Sequence, residues 1–135
     1  MFAVDHYAIS VKNIEKSVEF YKKLDFRVEK EWSVPDKSLA ITHMKNGEFI
    51  LELFCYKQYI NMPYTGFVLN EDLPVIGSKH IGFYVDDLKN VQEYLKGTGI
   101  IKKEIEIKTG RLGRSYFFIS DPDGILIEII EKEGR

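Results

Sequence analysis

The chain has few of the features that mark secreted, membrane-bound or nucleic-acid-binding proteins. Cys55 is its only cysteine, so one chain can form neither an internal disulfide nor a thiolate zinc site. No apolar run approaches the length of a membrane span, and the first residues lack a basic region followed by an apolar core. The formal net charge is -2, with lysines interspersed among acids, which argues against nucleic-acid binding. We therefore expect a cytoplasmic protein that binds neither membranes nor nucleic acid.

The composition is that of a folded domain. Hydrophobic residues make up 44% of the 135 residues and charged residues 30%, a balance that provides both a buried core and a charged surface. This balance argues against a disordered chain. We expect a single domain over residues 1–135.

The first part of the chain follows the order strand, helix, strand, hairpin. Apolar residues alternate as in a strand, recur at helical spacing after a capping Asn13, and then alternate again in three further segments. Asn46-Gly47 is a pair that suits a tight hairpin turn. The predicted strands cover residues 2–11, 26–32, 39–45 and 48–56.

The same order returns after residues 57–77, where prolines and glycines break the pattern as in a linker. Asp87 caps the second predicted helix, which stops at Gly97. The turn of the closing hairpin is Asp121-Pro122-Asp123-Gly124. The predicted strands of this second module cover residues 79–85, 101–107, 115–120 and 125–131.

Two residue types occupy equivalent places in the two modules. His6 and His80 are 74 residues apart, and Glu52 and Glu128 are 76 apart, a difference that a two-residue insertion reconciles. An internal repeat implies two similar half-sheets related by a pseudo-two-fold axis, so equivalent positions should approach each other. The sequence therefore predicts that His6, Glu52, His80 and Glu128 converge on one divalent metal ion.

The chemistry of these four residues favours that prediction. Both glutamates lie in apolar runs typical of strands covered on both faces, where a carboxylate needs a partner or a metal ion. Two neutral imidazoles and two carboxylates balance a divalent cation, and such a shell suits nickel, cobalt, zinc, manganese or iron. Each residue alone has a plainer interpretation, since a lone histidine more often bonds a backbone carbonyl and a glutamate can pair with lysine or face water. We nevertheless favour a metal site, because the same two residue types recur at equivalent places in both modules.

The remaining candidates carry weaker signals. His43 has no counterpart in the other module, and we interpret it as an ordinary strand or surface histidine. Cys55 is interpreted as a small buried hydrophobe rather than a nucleophile. Arg111 and Arg114 lie in the loop of Gly110 and Gly113 just before the last hairpin, where they could hold an anionic substrate or could simply be solvated.

Several segments closely resemble one known superfamily over nearly the whole chain. They are residues 5–11 around His6, 17–21 in the first helix, 51–53 around Glu52, 79–83 around His80, and 121–128. The superfamily is that of glyoxalase I, bleomycin-resistance proteins and extradiol dioxygenases, also called vicinal oxygen chelate proteins. The resemblance implies an α+β fold of two tandem βαβββ modules, about 2–56 and 78–133 around linker 57–77, that form a half-barrel cup. It also implies a frequent homodimer.

Within the superfamily the chain resembles bacterial glyoxalase I at all four ligand positions. The resemblance implies a lyase or isomerase of the lactoylglutathione lyase type. Such an enzyme transfers a proton beside small-molecule oxygens that the metal ion polarises, with Glu128 or Glu52 as the base. Resemblance to the glutathione-dependent enzyme predicts an arginine at the position of Ser10 and an asparagine at that of Tyr56. Because this chain has neither, glutathione recognition stays open. Tyr56, Arg111 and Arg114 are the candidate substrate contacts.

Two other functions stay open. An extradiol-type dioxygenase would hold iron with two histidines and one glutamate, leaving Glu52 outside the shell. A resistance protein would bind a drug or transfer a thiol to it. The presence of Glu52 favours a lyase or isomerase over the dioxygenase, and the complete ligand set disfavours a pure binding protein.

Overall fold

The first unit, Met1–Asn61, places one helix against a four-stranded sheet in the computed structural model, which describes residues 1–134. The strand order is β1-β4-β3-β2, with β1 parallel to β4 and the other neighbours antiparallel. The elements are β1 (His6–Ser10), α1 (Ile14–Lys22), β2 (Arg27–Ser33), β3 (Leu39–Asn46) and β4 (Phe49–Tyr56).

Successive residues of β4 point to opposite faces of the sheet, and only one of these faces is fully buried. Leu51 and Leu53 are fully buried, whereas Glu52 between them points to the other face and keeps its side chain 16% exposed. Helix α1 contacts β2, β3 and β4 and contributes the fully buried Tyr21. The expectation that β4 is covered on both faces of its own sheet is therefore wrong. One face is core, and the face of Glu52 is only partly covered.

The second unit, Met62–Arg135, builds a sheet of the same kind. The strand order is β5-β8-β7-β6, again with the first strand parallel to the last and the hairpin antiparallel. A 3-10 helix at Tyr64–Phe67 precedes the other elements, which are α2 (Leu69–Asp72), β5 (Ile81–Val85), α3 (Leu88–Gly97), β6 (Lys108–Thr109), β7 (Ser115–Ser120) and β8 (Leu126–Glu131).

The local signals that framed the predicted elements are present in the structure. The side-chain oxygens of Asn13 and Asp87 accept hydrogen bonds from backbone N–H groups in the first turns of α1 and α3, at 3.0 and 3.1 Å. Asp121 Oδ1 likewise accepts from the backbone N–H of Asp123 and Ile125, and Gly124 takes a φ of 83°. The α+β fold of two βαβββ modules is thus confirmed.

Three predicted segments differ. Residues 101–107 form no strand, because only Lys108–Thr109 pairs with β7, and the Ile105 carbonyl accepts from the side chain of Gln92 on α3 instead. The first strand begins at His6 rather than at residue 2. The predicted linker holds the 3-10 helix and α2. Lys79 fixes this region, since its Nζ donates to the backbone oxygens of Asp72 (2.7 Å) and Val75.

No helix within residues 1–134 is long and apolar enough to cross a lipid bilayer.

Candidate metal centre

His6 opens β1 with its ring between two carboxylates. Its Nδ1 lies 2.7 Å from Oδ2 of Asp5, and its Nε2 lies 3.6 Å from Oε1 of Glu52. A carboxylate that accepts the Nδ1 hydrogen fixes the tautomer and leaves the Nε2 lone pair available to a ligand. The hydrogen bond to Asp5 outweighs desolvation and raises the pKa of His6 above 6.5. Asp5 therefore orients His6 as a metal-ligating histidine is commonly oriented.

Glu52 is held on the partly covered face of the first sheet by strand register. Ala8 on β1 and His43 on β3 are its direct neighbours. Its Oε2 lies 2.6 Å from Nε2 of His43, so this carboxylate contacts one imidazole with each of its oxygens. The rings of His6 and His43 are nearly parallel, with centroids 6.3 Å apart.

The contact with Glu52 corrects the interpretation of His43 as an ordinary strand or surface histidine. The side chain of His43 is 29% exposed and forms a short hydrogen bond with a predicted metal ligand. The signal that could have revealed it is the register of the β3–β4 hairpin. With Asn46 paired to Phe49, His43 falls opposite Glu52.

His80 and Glu128 form the equivalent pair in the second unit. His80 directly precedes β5, and its Nε2 lies 2.9 Å from Oε2 of Glu128 on β8. Phe118 on β7 is the register neighbour of Glu128 and packs its ring edge-on against His80, with centroids 4.9 Å apart. Nδ1 of His80 is buried and, within residues 1–134, has no hydrogen-bond partner. The two units thus repeat the histidine–glutamate pair with different surroundings.

The four predicted ligands come together as two pairs, His6 with Glu52 and His80 with Glu128. Among residues 1–134, no three His, Cys, Asp or Glu side chains form a group that could hold a metal ion. The donor chemistry of each pair nevertheless fits part of a divalent shell. Each pair supplies one imidazole nitrogen and one carboxylate oxygen, donor types that divalent transition metals accept.

The candidate substrate contacts lie elsewhere on their units. Tyr56 ends β4, is 47% exposed, and lines a cavity of about 880 Å³ together with Trp32 and Lys37. Arg111 is exposed and Arg114 half-buried in the β6–β7 turn, which is closed by a hydrogen bond from the Gly110 N–H to the Arg114 carbonyl. Their role in substrate binding stays a prediction.

Cys55 is less enclosed than expected. It is half-buried, and its thiol donates to the backbone carbonyl of Lys12 at 3.5 Å.

Comparison with known proteins gives matches over nearly the whole chain. The family model of the Glyoxalase/Bleomycin resistance protein/Dioxygenase superfamily matches residues 3–129. The human mitochondrial methylmalonyl-CoA epimerase is 27% identical over 129 residues, covering 93% of this chain and 72% of that protein. A glyoxalase family protein from Enterococcus faecalis superimposes with a TM-score of 0.78 at 28% identity, covering 96% of this chain and 97% of that one.

A further solved structure, the trypanothione-dependent glyoxalase I of Leishmania major, superimposes with a TM-score of 0.71, covering 97% of this chain and 87% of that one. At 21% identity this likeness shows a shared fold alone. The family match over residues 3–129 confirms the resemblance that the histidine and glutamate segments carry. The chain belongs to the Glyoxalase/Bleomycin resistance protein/Dioxygenase superfamily.

Proposed function

We propose that this protein is a divalent-metal-dependent isomerase or lyase of the glyoxalase I-like type. In this proposal His6, Glu52, His80 and Glu128 bind the same ion. The observation that carries the proposal is the repeated histidine–glutamate pair: in each unit the histidine lies two residues before the register neighbour of the glutamate. Each unit supplies one neutral nitrogen donor and one anionic oxygen donor, and together they balance a divalent charge.

The chain's own residues have distinct tasks in this reaction. Asp5 holds the His6 ring by its Nδ1, and Phe118 confines the His80 ring from the side. A divalent ion held by the four ligands would polarise the oxygens of a small substrate and acidify the adjacent carbon. Glu128 or Glu52 would act as the base that takes a proton from the substrate carbon and returns it; each places its carboxylate on the partly covered face of its sheet.

The similarity to methylmalonyl-CoA epimerase supports an isomerase, because inversion at a carbon and glyoxalase I-like chemistry both begin by removing a proton from carbon. The contact between His6 and Glu52 favours this class over an extradiol-type dioxygenase, in which Glu52 would lie outside the shell. We further propose a cytoplasmic homodimer, an assembly that folds of repeated modules reach readily by exchanging modules between chains. Tyr56, Arg111 and Arg114 are proposed to contact the substrate.

The experiment that tests this proposal combines metal analysis with turnover. The purified protein is stripped and reloaded with nickel, cobalt, zinc, manganese or iron. Each form is then assayed with α-oxo thiol adducts and with α-branched acyl thioesters, with and without oxygen. We expect one ion per four-ligand site and turnover that does not need oxygen.

Two variants sharpen the test. Glu128→Gln should abolish turnover, whereas Glu48→Gln, in the exposed turn between β3 and β4, should leave it unchanged. Failure of the wild-type protein to bind any of the five ions at saturating supply would overturn the proposal. Oxygen-dependent turnover would assign the protein to the dioxygenases instead.

A further inference from the structure

The two units differ in what faces the glutamate of each pair. In the first sheet the β3–β4 register places His43 opposite Glu52. In the second sheet the β7–β8 register places Phe118 opposite Glu128. The repeat is therefore broken at one position, where an imidazole in one unit is replaced by a phenyl ring in the other.

This difference changes what each carboxylate can do. Oε2 of Glu52 accepts a hydrogen bond from Nε2 of His43 at 2.6 Å, and Oε1 lies 3.6 Å from Nε2 of His6. Phe118 has no polar atom to offer Glu128, and its ring packs against His80 instead. Glu52 is thus hydrogen-bonded to a neighbouring strand through one oxygen, while within residues 1–134 the side-chain partner of Glu128 is His80 alone.

We infer that His43 is a positioning residue that holds Oε2 of Glu52, so that Glu52 presents only Oε1 to an ion. The inference rests on the proposed function and deepens it, because it gives the two glutamates different roles. Glu52 is the fixed ligand, tethered by His43. Glu128 has Phe118 as its register neighbour and lacks this tether.

The burial of the pair explains why the tether should matter. The side chains of His43 and Glu52 are 29% and 16% exposed, so water replaces a lost hydrogen bond poorly at this place. Outer hydrogen-bond partners of metal ligands orient them and typically contribute about 10- to 100-fold to metal affinity. Losing the hydrogen bond of His43 should therefore weaken metal binding without removing any ligand.

The test uses substitutions of His43 that differ in the distance between the backbone and the hydrogen-bond donor. His43→Gln keeps an N–H donor at about the distance of Nε2 from the backbone, whereas His43→Asn places its donor one bond shorter. His43→Phe copies the second unit. Lys45→Gln, on the same strand and the same face, serves as a control away from Glu52. The metal dissociation constant is measured by competition with a chromogenic chelator, and folding is checked by circular dichroism.

We expect His43→Phe and His43→Asn to weaken metal binding by about 10- to 100-fold. His43→Gln and Lys45→Gln should stay within a few-fold of the wild-type protein. Equal affinity in the wild-type protein and His43→Asn, or equal losses in His43→Gln and His43→Asn, would overturn this inference alone. If the wild-type protein binds no ion, the proposed function and this inference fail together.

Discussion

Oδ2 of Asp5 lies 2.7 Å from Nδ1 of His6, the next residue in the chain, and this hydrogen bond raises the pKa of the imidazole. We predict that Asp5→Asn lowers the pKa of His6, because an amide no longer stabilises the imidazolium. Titration of the metal-free protein, followed through the imidazole signals in NMR spectra, measures the change. Asp36→Asn, whose carboxylate accepts from the backbone N–H of Ser38, is the matched control and should leave His6 unaffected.

The sign of the effect on stability follows from the direction of the shift. A folded-state pKa above the unfolded value means that the protonated ring stabilises the fold below the unfolded pKa. This contribution is lost as the pH rises through the folded pKa of His6. An unchanged His6 titration curve in Asp5→Asn would show that the hydrogen bond is not formed in solution.

Gly124 is predicted to be far less tolerant of alanine than Gly47. Both residues have positive φ values, 83° and 57°, so an added Cβ strains both backbones by about 1–2 kcal/mol. At Gly124 the Cβ would also lie 2.5 Å from two ring atoms of Phe67, whereas nothing lies within 4 Å at Gly47. We expect Gly124→Ala to lower the free energy of unfolding by about 1–3 kcal/mol more than Gly47→Ala.

Urea denaturation measures this difference. Adding Phe67→Ala to Gly124→Ala should recover part of the loss, because the smaller side chain removes the clash. Equal losses in the two glycine variants would mean that Phe67 does not rest on Gly124 in solution.

Lys79 is predicted to stabilise the segment between the two predicted modules. Its ammonium group donates to the backbone oxygens of Asp72 and Val75 and lies 3.4 Å from the Asp72 carboxylate, which is itself largely buried. Lys79→Met should lower the free energy of unfolding by about 1–3 kcal/mol, because it leaves the largely buried Asp72 without its cationic partner. Lys89→Met, at an exposed position of α3, should change it by less than about 0.5 kcal/mol.

Hydrogen exchange provides a local readout for the same pair of variants. Faster exchange confined to the backbone amides of residues 64–76 in Lys79→Met is the expected pattern. Unaltered exchange in that segment would contradict the role assigned to Lys79.

The features that could be predicted from the sequence depend on a few neighbouring atoms. A capping side chain such as Asn13 or Asp87 bonds a backbone N–H only three residues ahead, so its signal is local. Alternation separated the face of His6 from that of Ile9 for the same reason, since successive residues of a strand must point to opposite faces. These rules recovered the order of the elements in both units.

The errors lie where partners are distant in the chain. Residues 101–107 alternate like a strand but are bonded by Gln92 of α3, a contact that their own pattern does not encode. The turns of the 3-10 helix and α2 are too short for helical periodicity to appear. His43 is not identified from the sequence because it has no counterpart in the second module, where Phe118 takes the corresponding place. A turn centred on Asn46-Gly47 would set Ile41 opposite Glu52, so the predicted hairpin gives no signal for His43 either.

In the structure the turn is centred on Gly47 and Glu48, and Asn46 pairs with Phe49. Glycine at the first central position, with a positive φ, is what a type II′ turn requires. This small displacement slides β3 by two residues along β4 and exchanges Ile41 for His43 beside the carboxylate.

β8 is the last strand to be synthesised in its unit, yet it lies in the middle of its sheet, between β5 and β7. On the ribosome, the first unit has its final strand once residue 56 has emerged, but the second stays incomplete until residue 131 is free. In that interval the edges of β5 and β7 have no β-strand between them, and open edges recruit strands from other molecules. The second unit should therefore be most prone to aggregation between the emergence of β7 and that of β8, when chaperones that shield such edges would protect it.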